Sequence, residues 1–192
     1  MRLGSDLIVF DLEANQPSGK IFEIGAVRVN RDLDTVEPDG FQQYVNPGEP
    51  ISDEIRKLCN LNSTHESIIR TSPSLPEVVD AFYKWATQTG KNIVLASWGN
   101  YDVAELHAQA PGNPFRRKSV DIKSILLWEA ARLGIKTTNS LSGSMNAFGV
   151  DFIGTPHGAH ADALNTARLL VQVAYQNKAF KRGLEALSLQ LS

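Results

Sequence analysis

The sequence predicts an α/β domain, and its apolar patterning predicts it. Short apolar runs dominate the N-terminal part, helical spacing takes over after about residue 50, and a further buried run is enclosed by helices. With 192 residues and no linker-like or repeated stretch, the chain is expected to form one domain over residues 1–192. Its core is expected at about residues 6–176, followed by a short C-terminal helical tail.

The run from Leu7 to Leu12 is apolar except at Asp11, the pattern of a strand buried on both faces. A turn cluster follows from Asn15 to Gly19. Ile21 to Val29 reads as the second strand and Phe41 to Val45 as the third, closed by Asn46-Pro47-Gly48. Their short connections predict an antiparallel meander. From Ile51 to Leu61, residues Ile55, Leu58 and Cys59 fall at helical spacing. Ser63-x-x-Glu66 and Ser74-x-x-Glu77 are capping-box patterns. Behind the second, Leu75, Val78, Val79, Phe82 and Trp85 mark one apolar helix face.

Ile93 to Ala96 predicts a short buried strand, and Tyr101 to Gln109 the helix after it. Pro111 to Lys118 is a loop. Val120 to Leu133 is expected to be mostly helical, Ser140 to Phe148 a short helix, and Ala159 to Tyr175 the last long one. That helix carries Leu164, Ala167, Val171 and Ala174 on one face.

Composition narrows the function classes. Hydrophobic content of 42% and charged content of 21% are ordinary for a soluble globular protein. A net charge of -2 argues against a generic basic coating protein for nucleic acid, though not against an enzyme with a local site. The single cysteine, Cys59, excludes an intramolecular disulfide. The N-terminus has no long apolar signal core, and no stretch approaches the ~18 apolar residues of a membrane span. The expectation is a cytoplasmic protein that does not engage a membrane.

The chemistry is carried by acids in unusual places. Asp11 and Glu13, one residue apart, project to the same side of a strand. Adjacent buried carboxylates repel and resist desolvation, and a hard divalent cation with oxygen ligands relieves both. Asp102 stands at a helix start just beyond the strand at 93–96, where open α/β sheets place ligands. Asp162 lies in the first turn of the last helix, with His157 on the loop before it. Taken singly, Asp102 and Asp162 are ordinary helix-start acids, and a loop histidine is usually structural. Two acids in an apolar strand have few structural uses, and their occurrence with the others favours a functional reading. The basic run Arg116-Arg117-Lys118 is either a phosphate contact or a solvated loop.

These residues resemble a family. Asp11-x-Glu13, Asp102 and His157-x4-Asp162 are similar to the three motifs of the DEDDh 3'→5' exonucleases. The resemblance extends from about Leu7 to Leu170, and Ile24-Gly25-Ala26-Val27, Ile51-Ser52 and Asn165-Thr166-Ala167 fit it. Phe10-Asp11-Leu12-Glu13-Ala14 and Tyr101-Asp102 are most similar to the branch that trims RNA 3' ends. The resemblance implies an RNase H-like fold. Its central five-stranded mixed sheet has three antiparallel N-terminal strands, then parallel strands, flanked by helices. It also implies two Mg²⁺ ions, with Mn²⁺ substituting. Asp11 would bridge both, Glu13 and Asp162 would complete the first, and Asp102 would hold the second.

By the same resemblance His157 is the general base, and the product is a nucleoside 5'-monophosphate cut from a single-stranded RNA or DNA 3' end. The family spacing selects His157 over His160, which is read as a bystander. Gly158 stands where a sister class has tyrosine. Ala161 replaces a frequent second Asp, and Glu54-Ile55 replace the aromatic residue that the RNA-trimming branch stacks on the terminal base. Tyr101 is the remaining stacking candidate, with Leu12 and Ala14 backbone groups and Phe22 as further contacts to the terminal nucleotide. Several relatives form homodimers. The competing readings are internal cleavage by the same metals, a non-catalytic binding module of the same fold, and a small dinucleotide phosphodiesterase.

Overall fold

A computed structural model describes residues 5–190 apart from residues 38, 90, 91 and 117, with side chains as far as residue 178. The first strand, β1 (Asp6–Ala14), is central. Leu7 and Val9 point to one face and Ile8, Phe10 and Leu12 to the other, and all five are buried. That double burial is why the run is continuous rather than alternating. β2 (Ile21–Val29) pairs antiparallel with β1, and β3 (Phe41–Tyr44) antiparallel with β2.

The chain then crosses over through α1 (Asp53–Leu58), α2 (Ser63–Thr71) and α3 (Leu75–Thr87). It returns as β4 (Ile93–Ser97), parallel to the other edge of β1, followed by α4 (Tyr101–Gln109). β5 (Ser119–Asp121) adds a second parallel pairing. The order is β3-β2-β1-β4-β5, so the sheet is mixed and five-stranded as expected, and β1 lies at its centre. α5 (Ile122–Leu133), α6 (Leu141–Ala147) and α7 (Ala159–Gln190) complete the chain.

Two cores cover the sheet. On one face, Ile8, Phe10, Ile24 and Ala26 pack with Val78, Val79 and Phe82 of α3. Phe82 is the hub, its ring 5.2 Å from Phe41 and 4.8 Å from Phe115. On the other face, Leu7, Val9, Val27 and Val29 meet α5, α6 and Ala167, Leu170 and Val173 of α7. The start of α3 bears out its capping pattern: the Glu77 carboxylate accepts from the Ser74 N–H at 2.8 Å and from its hydroxyl at 2.6 Å. No helix among the described residues is long and apolar enough to cross a membrane.

Three expectations change. The segment from Val120 to Leu133 begins with a strand, because residues 119–121 extend the parallel sheet. Asp121 then caps α5 by accepting the Ser124 N–H at 3.1 Å. α2 is capped one residue earlier than Ser63. Asn62 accepts from the Thr64 and His65 N–H groups, and His65 Nδ1 accepts the Asn62 N–H, so His65 takes the place of Glu66 in the box. The last helix continues past Tyr175 to Gln190 without a break.

Candidate active site

β1 is the strand from which the sheet grows in both directions, toward β2 and β3 on one side and β4 and β5 on the other. The carboxyl end of such a strand is a switch point, where the crossovers part and leave a crevice. Asp11 and Glu13 occupy that end of β1. They share the face of Leu7 and Val9, toward α7. Asp102 reaches the same place from the first turn of α4. It is 6% exposed, and its carboxylate accepts the backbone N–H of Leu12, which lies between the two β1 acids. Asp162 comes from the first turn of α7, and one of its oxygens accepts the His157 N–H at 3.1 Å. Ligand atoms of Glu13, His157 and Asp162 lie within 4.8 Å of one another.

The electrostatics show four acids forced together. Burial and then the charges of Asp102, Glu13, Asp162 and Glu23 hold Asp11 well above the usual carboxylate range. Glu13 is pushed up to about 8 by burial, Asp162 and Glu23, with the Cys59 thiol opposing. Asp102 is raised to about 7, mainly by burial, against hydrogen bonds from the Leu12 N–H and its own. Burial also raises Asp162, opposed by the His157 N–H and the nearby imidazole. Among the described residues, none of the four forms a salt bridge with a lysine or arginine. Buried like charges without a counter-charge are the donor set of a hard divalent cation, and the cluster fits one.

His157 sits on the exposed rim in the left-handed region, at φ 62°. A non-glycine residue rarely rests there, and its N–H bond to Asp162 helps to hold it. His160 differs. It is the second residue of α7, half-buried, with its ring set against Gly40.

The proposed nucleotide contacts fare unevenly. Tyr101, at the start of α4 beside Asp102, is 55% exposed and offers a free ring face. Ala14 is half-buried at the end of β1, past a register slip after Glu13. The Leu12 N–H is engaged by Asp102 and its side chain lies in the core, so it offers no free donor of its own. Phe22 is corrected outright. Its ring is fully buried among Ile51, Ile55, Cys59 and Ile69, and it supports α1 instead of meeting a ligand. Ile55 is buried in the same cluster and supplies no stacking surface. Arg116 and Lys118 line a hollow with Ser5, Asn92 and Ile93 at the starting ends of the parallel strands, away from the carboxylates. Arg117 lies outside the described residues.

Two neighbours of the cluster escaped the sequence reading. Cys59 donates its thiol to Glu13 Oε2 at 3.6 Å. Glu23 is a fifth buried acid, directly opposite Glu13 in the β1–β2 register. Ala14 pairs with Ile21 beyond the turn, and a register slip between Glu13 and Ala14 then brings Glu23, not Phe22, opposite Glu13, so counting outward from the turn in the sequence does not find it.

A five-stranded mixed sheet with a four-acid pocket at the end of its central strand is the architecture of an RNase H-like nuclease, and comparison with known proteins agrees. The exonuclease family model matches residues 8–170, and the chain belongs to that family. A curated relative, the PolC-type DNA polymerase III of Caldanaerobacter subterraneus subsp. tengcongensis, is 32% identical over 112 residues. The match covers 56% of this chain and 7% of that protein. Among solved structures, cell-death related nuclease 4 superposes with a TM-score of 0.78 at 18% identity, covering 90% of this chain and 64% of that one. The nuclease domain of 3'hExo, a DEDDh family member bound to rAMP, gives a TM-score of 0.74 at 21% identity over 90% of this chain and 92% of that domain.

Proposed function

We propose that the chain is a divalent-metal-dependent 3'→5' exonuclease, releasing nucleoside 5'-monophosphates from single-stranded RNA or DNA 3' ends. The observation that carries the proposal is the convergence of Asp11, Glu13, Asp102 and Asp162 on one pocket with His157 at its rim, in a chain of the exonuclease family. The rAMP held by the 3'hExo domain supports a mononucleotide leaving such a pocket.

In this reading Asp11, Glu13, Asp102 and Asp162 hold two Mg²⁺ or Mn²⁺ ions. When bound, such a pair stabilises the attacking and leaving oxygens of an in-line phosphoryl displacement. His157, at the rim of the pocket, accepts the proton of the attacking water at a ring nitrogen. Asp162 keeps the His157 backbone in place through the 3.1 Å bond. Tyr101 offers a face on which a terminal base of any identity can stack.

The test is hydrolysis of 5'-labelled single-stranded RNA and DNA with Mg²⁺. A ladder that shortens from the 3' end, stops with EDTA and disappears when that end carries a blocking group is the expected result. Fragments independent of the 3' end, or no hydrolysis in any metal, would refute it.

A further inference from the structure

Glu23 is the buried acid of the pocket to which no metal role falls. It is 3% exposed and lies across the ladder from Glu13. One carboxylate oxygen accepts Gln42 Nε2 from β3 at 2.7 Å, and the other accepts the backbone N–H of Ala159 at 3.4 Å. Ala159 is the first residue of α7, two past His157 and three before Asp162. Glu23 therefore ties the sheet to the turn from which two members of the pocket project.

A second observation points the same way. On the same face of β2, two residues on, Gly25 lies so close to α7 that a Cβ there would overlap the backbone of Ala159 and His160. The first turn of α7 thus rests on β2 at a glycine and is hydrogen-bonded to it at a glutamate. Glu23, Gln42, His157 and His160 also line one cavity of about 310 Å³. His157 keeps its left-handed backbone only while its neighbours hold it, and the Ala159–Glu23 bond is a restraint that comes from outside α7.

We infer that Glu23 is a positioning residue for His157: with Gln42 it fixes the first turn of α7 so that the imidazole stands over the carboxylate pocket. The inference rests on the exonuclease reading above. Positioning requires an acceptor for the Ala159 N–H and not a negative charge, so glutamine should replace glutamate here and alanine should not.

The test measures kcat and KM on a labelled oligonucleotide for wild type, Glu23→Ala, Glu23→Gln and Gln42→Ala, with Mn²⁺ affinity by calorimetry and folding by thermal melt. A displacement of about 1 Å at a reacting group costs up to about 100-fold, so Glu23→Ala is expected to lose about 10- to 100-fold in kcat. KM and Mn²⁺ affinity should stay near wild type, and Glu23→Gln should recover most of the rate. Gln42→Ala, at an exposed side chain, should fold normally and lose a smaller part of kcat.

An active wild type with unchanged kcat in Glu23→Ala overturns this assignment alone. Loss of Mn²⁺ binding in Glu23→Ala, or a Glu23→Gln variant as slow as Glu23→Ala, overturns it in favour of a role for the charge. If Glu23→Ala does not fold, Gln42→Ala decides, and an unchanged kcat there overturns the assignment. A wild type that degrades no oligonucleotide overturns the exonuclease reading and this assignment with it.

Discussion

At the scale of single residues, the pocket is a set of side chains that oppose folding in order to serve binding. Asp11 sits in a strand whose other residues are chosen for burial, and its carboxyl is raised by burial and by four neighbouring acids. Asp11→Asn keeps the shape and removes the charge. It is expected to melt at or above the wild-type temperature without metal, and to lose turnover and Mn²⁺ binding together. Activity assays and calorimetry on the same preparation check this. For the histidines, His157→Ala should bind metal normally and lose about 10²- to 10⁴-fold in rate, the range for a general base. His160→Ala should stay near wild type, since its ring packs against Gly40 outside the carboxylate cluster. The reverse order in single-turnover assays would move the base to His160.

At the scale of elements, the site depends on how closely α7 approaches β2, and Gly25 sets that distance. Gly25→Ala adds one methyl where the backbone of Ala159 and His160 already lies. Overpacking of this kind costs about 1–3 kcal/mol, so urea unfolding should show a lowered midpoint. The rate should fall more than stability does, because the turn that carries His157 must move. Sequence made the elements of this contact legible but not the contact itself. β1 and β2 announced themselves as largely apolar runs, interrupted at Asp11 in the first and at Glu23 and Arg28 in the second, because both faces are covered. The face of α3 was readable from Val78, Val79 and Phe82 at helical spacing. Asp11, Glu13, Asp102, His157 and Asp162 stood out as motifs, and the fold brings them to one place. β5 was not legible, because three residues carry too little pattern beside the stronger helical spacing of Ile122 and Leu126. The α2 cap was misread because His65 does the work usually given to Glu or Gln. Phe22 was misplaced because a residue near the motif in sequence points through the sheet to its other face, where α1 covers it.

At the scale of the whole molecule, the crowded carboxylates couple metal, proton and stability. Glu13 at about 8 and Asp102 at about 7 both lie above their ordinary values near 4, mainly through burial. Between the ordinary and the raised values the folded chain holds more protons than the unfolded one, so stability falls as pH rises through that interval. Metal-free protein should therefore be most stable at about pH 4 and below as far as these groups are concerned, and should lose stability progressively from there toward pH 8. A divalent cation binds the deprotonated pocket, so its affinity grows as the protons leave. A ligand at about 100 times its dissociation constant stabilises by about 2.7 kcal/mol. Saturating Mg²⁺ should then raise the melting temperature little at pH 5 and markedly at pH 8, reversing the slope seen in EDTA. Thermal melts at half-unit pH steps, with Mg²⁺ and with EDTA, measure both slopes. Parallel curves would mean that the pocket does not take up the cation, and Asp11→Asn, which removes one of the crowded charges, should flatten the metal-free curve.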